Sequence, residues 1–68
     1  MNNDLSPLEL NSLQTLVRSP NSLSAAKQLG VDRNTLNGRL GRAIRKVGVK
    51  NVVQLIGWCW LRQMIELD

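Results

Sequence analysis

The stretch at residues 25–47, AAKQLGVDRNTLNGRLGRAIRKV, constrains the fold more than any other part of the chain. Ala25, Ala26 and Leu29 share one side of a short helix. Gly30 comes next, where a left-handed residue would end that helix. Asp32, two residues on, has the chemistry of a helix N-cap. Leu36, Leu40, Ala43, Ile44 and Val47 then recur at spacings of three and four, the period of an amphipathic helix, and Gly48 closes it. Small Ala26 suits a close crossing of two helices. A short helix, a glycine turn and a longer helix make a helix-turn-helix arrangement.

The flanks extend the same all-helical pattern. In Leu5-Ser6-Pro7-Leu8-Glu9-Leu10, Ser6 can cap, Pro7 suits the first helical position and Glu9 completes a capping box. Leu5 and Leu10 have the spacing of a hydrophobic staple. Leu10, Leu13 and Val17 give this first helix an inward stripe, and Ser19-Pro20-Asn21 stops it. Asn21 or Ser22 caps the second helix. Asn51 caps a fourth, expected to run to about residue 66. The expectation is a four-helix, all-α fold: a loose arm at residues 1–4, then one domain over residues 5–68.

Charge is unevenly placed. The net charge is +4, but Arg18, Lys27, Arg33, Arg39, Arg42, Arg45, Lys46 and Lys50 crowd the middle against Asp32 alone. Asp4, Glu9, Glu66 and Asp68 lie towards the ends. A basic middle between acidic ends points to a polyanion-binding face. On a helical wheel, the side of the third helix opposite its apolar stripe carries Asn34, Asn37, Gly38, Gly41, Arg42 and Arg45, with Arg39 and Lys46 on one flank. Amides come first and cations later. Asparagine can bond an adenine edge in two places, while arginine and lysine reach phosphates. A helix inserted into the major groove of double-stranded DNA by its N-terminal turns would have this gradient. Asn34, Asn37, Gly38 and Gly41 are then the base-reading positions, and Arg33, Arg39, Arg42, Arg45, Lys46 and Lys50 the phosphate-binding ones. Gly38 and Gly41 either let the backbone press close to a base, sugar or partner helix, or mark positions under no demand.

From residue 5 to about residue 55 the chain resembles, without a gap, the LuxR-type (GerE-type) helix-turn-helix domain of bacterial transcription regulators. Leu5-Ser6-Pro7-Leu8-Glu9 matches the family's opening Leu-Thr/Ser-Pro-x-Glu. Ala26-Lys27-Gln28-Leu29-Gly30-Val31-Asp32 matches Ala-x-x-Leu-Gly-Ile/Val-Ser. Thr35-Leu36-Asn37-Gly38-Arg39 stands at Thr-Val-Lys-x-His, and residues 43–51 approach Ile-x-x-Lys-Leu-Gly-Val-x-x-Arg/Asn. The resemblance implies a third helix that reads the major groove and a fourth that mediates dimerisation. Departures fall at Leu8, Leu23-Ser24-Ala25, Asn37 and Arg39, so core and turns are kept while reading positions differ. It further implies a small stand-alone regulator, since no receiver or ligand-binding domain precedes the motif.

The fourth helix is apolar nearly all round, which requires two partners. Val52, Leu55, Ile56 and Cys59 are expected to close the core. Trp58, Leu61 and Ile65 are expected to lie outward as a homodimer or partner interface. The same face allows an alternative: a protein-binding anti-activator or co-regulator that pairs with a larger transcription regulator.

Other classes are disfavoured. With one cysteine and no histidine, neither an internal disulfide nor a zinc site is expected. No nucleophile-and-base arrangement is present, so no catalytic residue, cofactor or metal is expected. No apolar run is long enough to span a bilayer and none opens the chain as a signal peptide. A cytoplasmic, nucleoid-associated bacterial protein is the expectation.

Overall fold

Local capping chemistry sets where each helix begins. The computed structural model describes residues 5–67. Among these the elements are α1 (Pro7–Arg18), α2 (Ser22–Leu29), α3 (Arg33–Val47) and α4 (Val52–Leu61), with no strand. The expected arm at residues 1–4 lies outside the described residues. At the start of α1 the Glu9 N–H donates to Ser6 Oγ at 3.2 Å and the Ser6 N–H donates to Glu9 Oε1 at 2.8 Å, a complete capping box with Pro7 behind it. Asn21, rather than Ser22, caps α2 by accepting the Ser24 N–H at 2.8 Å. Asp32 and Asn51 cap α3 and α4 through the N–H groups of Thr35 and Gln54. Such caps stabilise a helix by about 1 kcal/mol each.

The α2–α3 turn is short because Gly30 takes a left-handed conformation, φ 74°. Its N–H donates to Lys27 and that of Val31 to Ala26, satisfying the last carbonyls of α2. Asp32 opens α3 two residues later.

The core collects one stripe from each helix. Leu13 comes from α1, Ala25 and Ala26 from α2, Leu36, Leu40 and Ala43 from α3, and Leu55 and Cys59 from α4. Leu10, Val17, Ile44, Val47, Val52 and Ile56 pack half-buried around them. α1 packs on α2 and α3, α2 on α3, and α3 on α4. Burial pushes the Cys59 thiol pKa up, with a smaller opposing pull from Arg62.

The end of α4 departs from the expected helix to residue 66. It stops at Leu61, and Gln63 adopts a left-handed conformation, φ 59°. The N–H groups of Gln63 and Met64 donate to Trp60 and Cys59. A left-handed non-glycine residue costs roughly 1–2 kcal/mol. Burial of Ile65, two residues on, offsets that cost. Ile65 turns back into the core at 4% exposure, and such burial stabilises by about 1.5–3 kcal/mol. Ile65, expected on an exposed interface, is therefore a core residue. The Gln14 side chain holds this segment by donating to the Glu66 carbonyl at 2.7 Å and accepting the Glu66 N–H at 2.8 Å.

Candidate nucleic-acid interface

The α2–Gly30–α3 unit places one face of α3 outward. Leu36, Leu40 and Ala43 anchor that helix in the core. Their opposite side carries Asn34, Asn37, Gly38, Arg42 and Arg45, all exposed, with Gly41 half-buried among them. Arg33 is exposed at the first turn and Lys50 beyond the C-terminal end. Lys50 is held in place where its backbone N–H donates to Gln54 Oε1 at 2.9 Å. A Cβ on Gly38 would meet nothing within 4 Å, and one on Gly41 would meet only Arg45 Nη1 at 3.8 Å. Neither glycine is demanded by packing among the described residues.

Of the six expected phosphate-binding cations, Arg33, Arg42, Arg45 and Lys50 make neither an ion pair nor a side-chain hydrogen bond among the described residues. Asp32 makes no ion pair with them among the described residues; its carboxylate accepts the Thr35 N–H at 2.7 Å. That backbone hydrogen bond also lowers its pKa. The face thus presents amides and glycine at its N-terminal turns and, further on, guanidinium groups with no ion pair among the described residues.

The other two cations turn towards α1. Lys46 Nζ donates to Glu9 Oε1 at 2.9 Å, a carboxylate only 5% exposed. Burial alone would raise the Glu9 pKa, but the Ser6 N–H and the Lys46 ammonium outweigh it and the net shift is downward. Arg39, half-buried, donates to Ser12 Oγ at 3.4 Å, and the Ser12 hydroxyl donates to the Leu8 carbonyl at 2.8 Å. Lys46 and Arg39 therefore tie the flank of α3 to α1. The spacing of Ser6-x-x-Glu9 is a sequence signal for the cap but not for this second use of Glu9.

The second expected surface, on α4, is placed differently. Leu61 is 74% exposed, as expected, but Trp58 is half-buried and covered by Arg62, whose guanidinium carbon sits 4.0 Å from the ring centroid. The outward side chains are instead Val53, Trp60 and Leu61, around Gly57. No Cβ contact within 4 Å would be made at Gly57 either. An open groove of about 470 Å³ lies beside this face, lined by Trp60, Gln63, Ile65, Glu66 and Leu67.

Among the described residues no group of histidine, cysteine or acidic side chains is placed to hold a metal ion, and no helix is long and apolar enough to cross a membrane. Comparison with protein families, with curated proteins and with solved structures finds no match.

Proposed function

We propose that this protein is a DNA-binding transcription regulator of the LuxR-like helix-turn-helix type. α3 enters the major groove, and the protein binds promoter DNA as a homodimer joined through α4. The observation that supports this reading best is the outward face of α3. Its first turns offer Asn34, Asn37 and the bare backbone at Gly38, and its later turns offer Arg42 and Arg45 without acidic partners among the described residues. A helix that merely faced water would carry strong helix formers there. Two glycines instead cost roughly 0.5–1 kcal/mol each relative to alanine. Close approach of the α3 backbone to a base edge or sugar gives them a purpose. Asn34 and Asn37 are the base readers; Arg33, Arg42, Arg45 and Lys50 reach phosphates. The reading puts the protein in the bacterial cytoplasm, at the nucleoid.

The homodimer is supported by the exposed apolar face of α4. Two-fold symmetry then sets half-sites about 34–36 Å apart. Selection from a pool of randomised duplexes at low salt tests the proposal. Enrichment of a paired half-site, lost in Asn37→Ala, is expected. Retention of no duplex, or of every duplex equally, would overturn it.

The same α4 face favours one second reading, a co-regulator that pairs with a larger transcription regulator. Under that reading substitutions at Gly38 leave function untouched, and substitutions at Trp60 and Leu61 abolish it.

A further inference from the structure

We propose that residues 62–67 form a strap that competes with self-association. Docked on α1, the strap ends α4 at Leu61. Released, it continues α4 and completes an apolar seam that binds a second copy of this chain. The inference rests on the reading of α4 as a self-association face.

The spacing along α4 and the strap carries the argument. Val53, Trp60 and Leu67 are exposed, Gly57 is half-buried and Met64 packs half-buried against the core in the docked state; in a continued helix the five would succeed one another at intervals of four, three, four and three. This is the repeat of a coiled-coil seam. It is distinct from the inward set Val52, Leu55, Ile56 and Cys59, which packs in this domain. As docked, the chain breaks the repeat after Trp60, because Gln63 turns left-handed. The visible α4 has 10 residues and is about 15 Å long at about 1.5 Å per residue. Continued to Leu67 it would reach about 24 Å.

The seam fits itself. In an antiparallel pairing centred on Trp60, Val53 faces Leu67 of the second copy and Gly57 leaves room for Met64. Gly57 has no steric role inside its own domain, so a close neighbour from outside is the use for it. No charged side chain lies between Lys50 and Arg62, so nothing on this stretch selects a charged partner.

The docked state is held by separable contacts. The Gln14 amide makes two hydrogen bonds to the Glu66 backbone, and Arg18 Nη2 lies 3.0 Å from Glu66 Oε1. That ion pair is exposed, with side-chain exposures of 52% and 81%. Ile65 supplies the apolar anchor. Nothing in this set involves the outward side chains of α4 itself.

Two variants outside the seam push the equilibrium in opposite directions. Gln14→Ala with Arg18→Ala removes the dock. Gln63→Gly favours the left-handed stop and disfavours a continued helix. Sedimentation equilibrium of the full chain, with far-ultraviolet circular dichroism, is expected to show the double variant dimerising about tenfold more tightly and with more helix. Gln63→Gly is expected to dimerise several-fold more weakly. Equal dimer constants in all three proteins would overturn the strap while leaving the α4 interface standing. A shift of Gln63→Gly towards tighter dimers would overturn it as well. Monomers throughout the concentration range would remove both. Should the double variant fail to fold, the sign of the Gln63→Gly effect decides.

Discussion

Glycine has opposite consequences at neighbouring places in this chain. At Gly30 the backbone is left-handed, φ 74°, so Gly30→Ala is expected to destabilise the fold by roughly 1–2 kcal/mol. At Gly38 the conformation is helical and a Cβ would meet nothing within 4 Å. Gly38→Ala is therefore expected to stabilise the free protein by about 0.5–1 kcal/mol. Urea titrations of the two variants should shift their midpoints in opposite directions. If Gly38 serves close approach to DNA, the stabilised Gly38→Ala protein will bind its selected duplex more weakly. A gain in stability with unchanged binding would leave that glycine without a role. Glu9 makes a second residue-scale prediction. Burial pulls its folded pKa up, but the Ser6 N–H and Lys46 together bring it below the ordinary value. A depressed carboxylate pKa stabilises above the unfolded value, about 4.3. That contribution is lost as pH falls through the lower folded value. Glu9→Gln should lose stability at pH 7 and flatten the acid side of the stability profile below about pH 4.5, measured by denaturant midpoints across the range.

At the scale of elements, the starts of the helices are far more legible in the sequence than the end of the last one. Ser6, Asp32 and Asn51 each announce a start because capping is a contact with a backbone N–H three residues away. Gly30 and Gly48 announce stops because no side chain opposes a positive φ. α4 carries no such sign. Its stop at Leu61, ahead of the left-handed Gln63, goes with Ile65 entering the core and Gln14 grasping Glu66, 52 residues away in sequence. A helical wheel drawn through residue 66 consequently puts Ile65 on the outside. It also favours Trp58 over Val53 and Trp60, although the four-three spacing from Val53 onwards is there to be read. Leu55 and Cys59 are legible as core because the stripe they share with Val52 and Ile56 lies wholly before the turn. Cys59 offers a check on this packing. With no exposure and a raised thiol pKa, it should resist alkylation in the native protein. Its labelling rate should track global opening of the α3–α4 packing. Rapid labelling under native conditions would mean that α4 leaves the domain by itself.

Across the whole molecule α1 is the element to which the others report. One side chain pair, Glu9 and Lys46, and another, Ser12 and Arg39, fasten it to α3, while Gln14 and Arg18 receive the strap from α4. The cations of α3 are thereby divided into two groups that sequence alone does not separate. Arg33, Arg42 and Arg45, with Lys50 just beyond the helix, face outward without ion pairs among the described residues, whereas Lys46, its side chain 42% exposed, pairs with the buried Glu9 carboxylate. The division predicts different responses to salt. If all four outward cations reach phosphates in a dimer, about eight counterions are released, and the logarithm of the binding constant should fall with log salt at a slope near −7. Arg42→Gln should make that slope shallower by about two, one per protomer, with little change in folding stability. Lys46→Gln should do the reverse. It leaves the Glu9 carboxylate short of its cation and should cost about 1–3 kcal/mol of stability, yet the slope should hardly move. Binding isotherms at four or five salt concentrations, paired with denaturation midpoints, separate the two. A slope that falls equally for Lys46→Gln and Arg42→Gln would mean that DNA draws Lys46 away from Glu9. The tie between α1 and the reading helix would then open on binding.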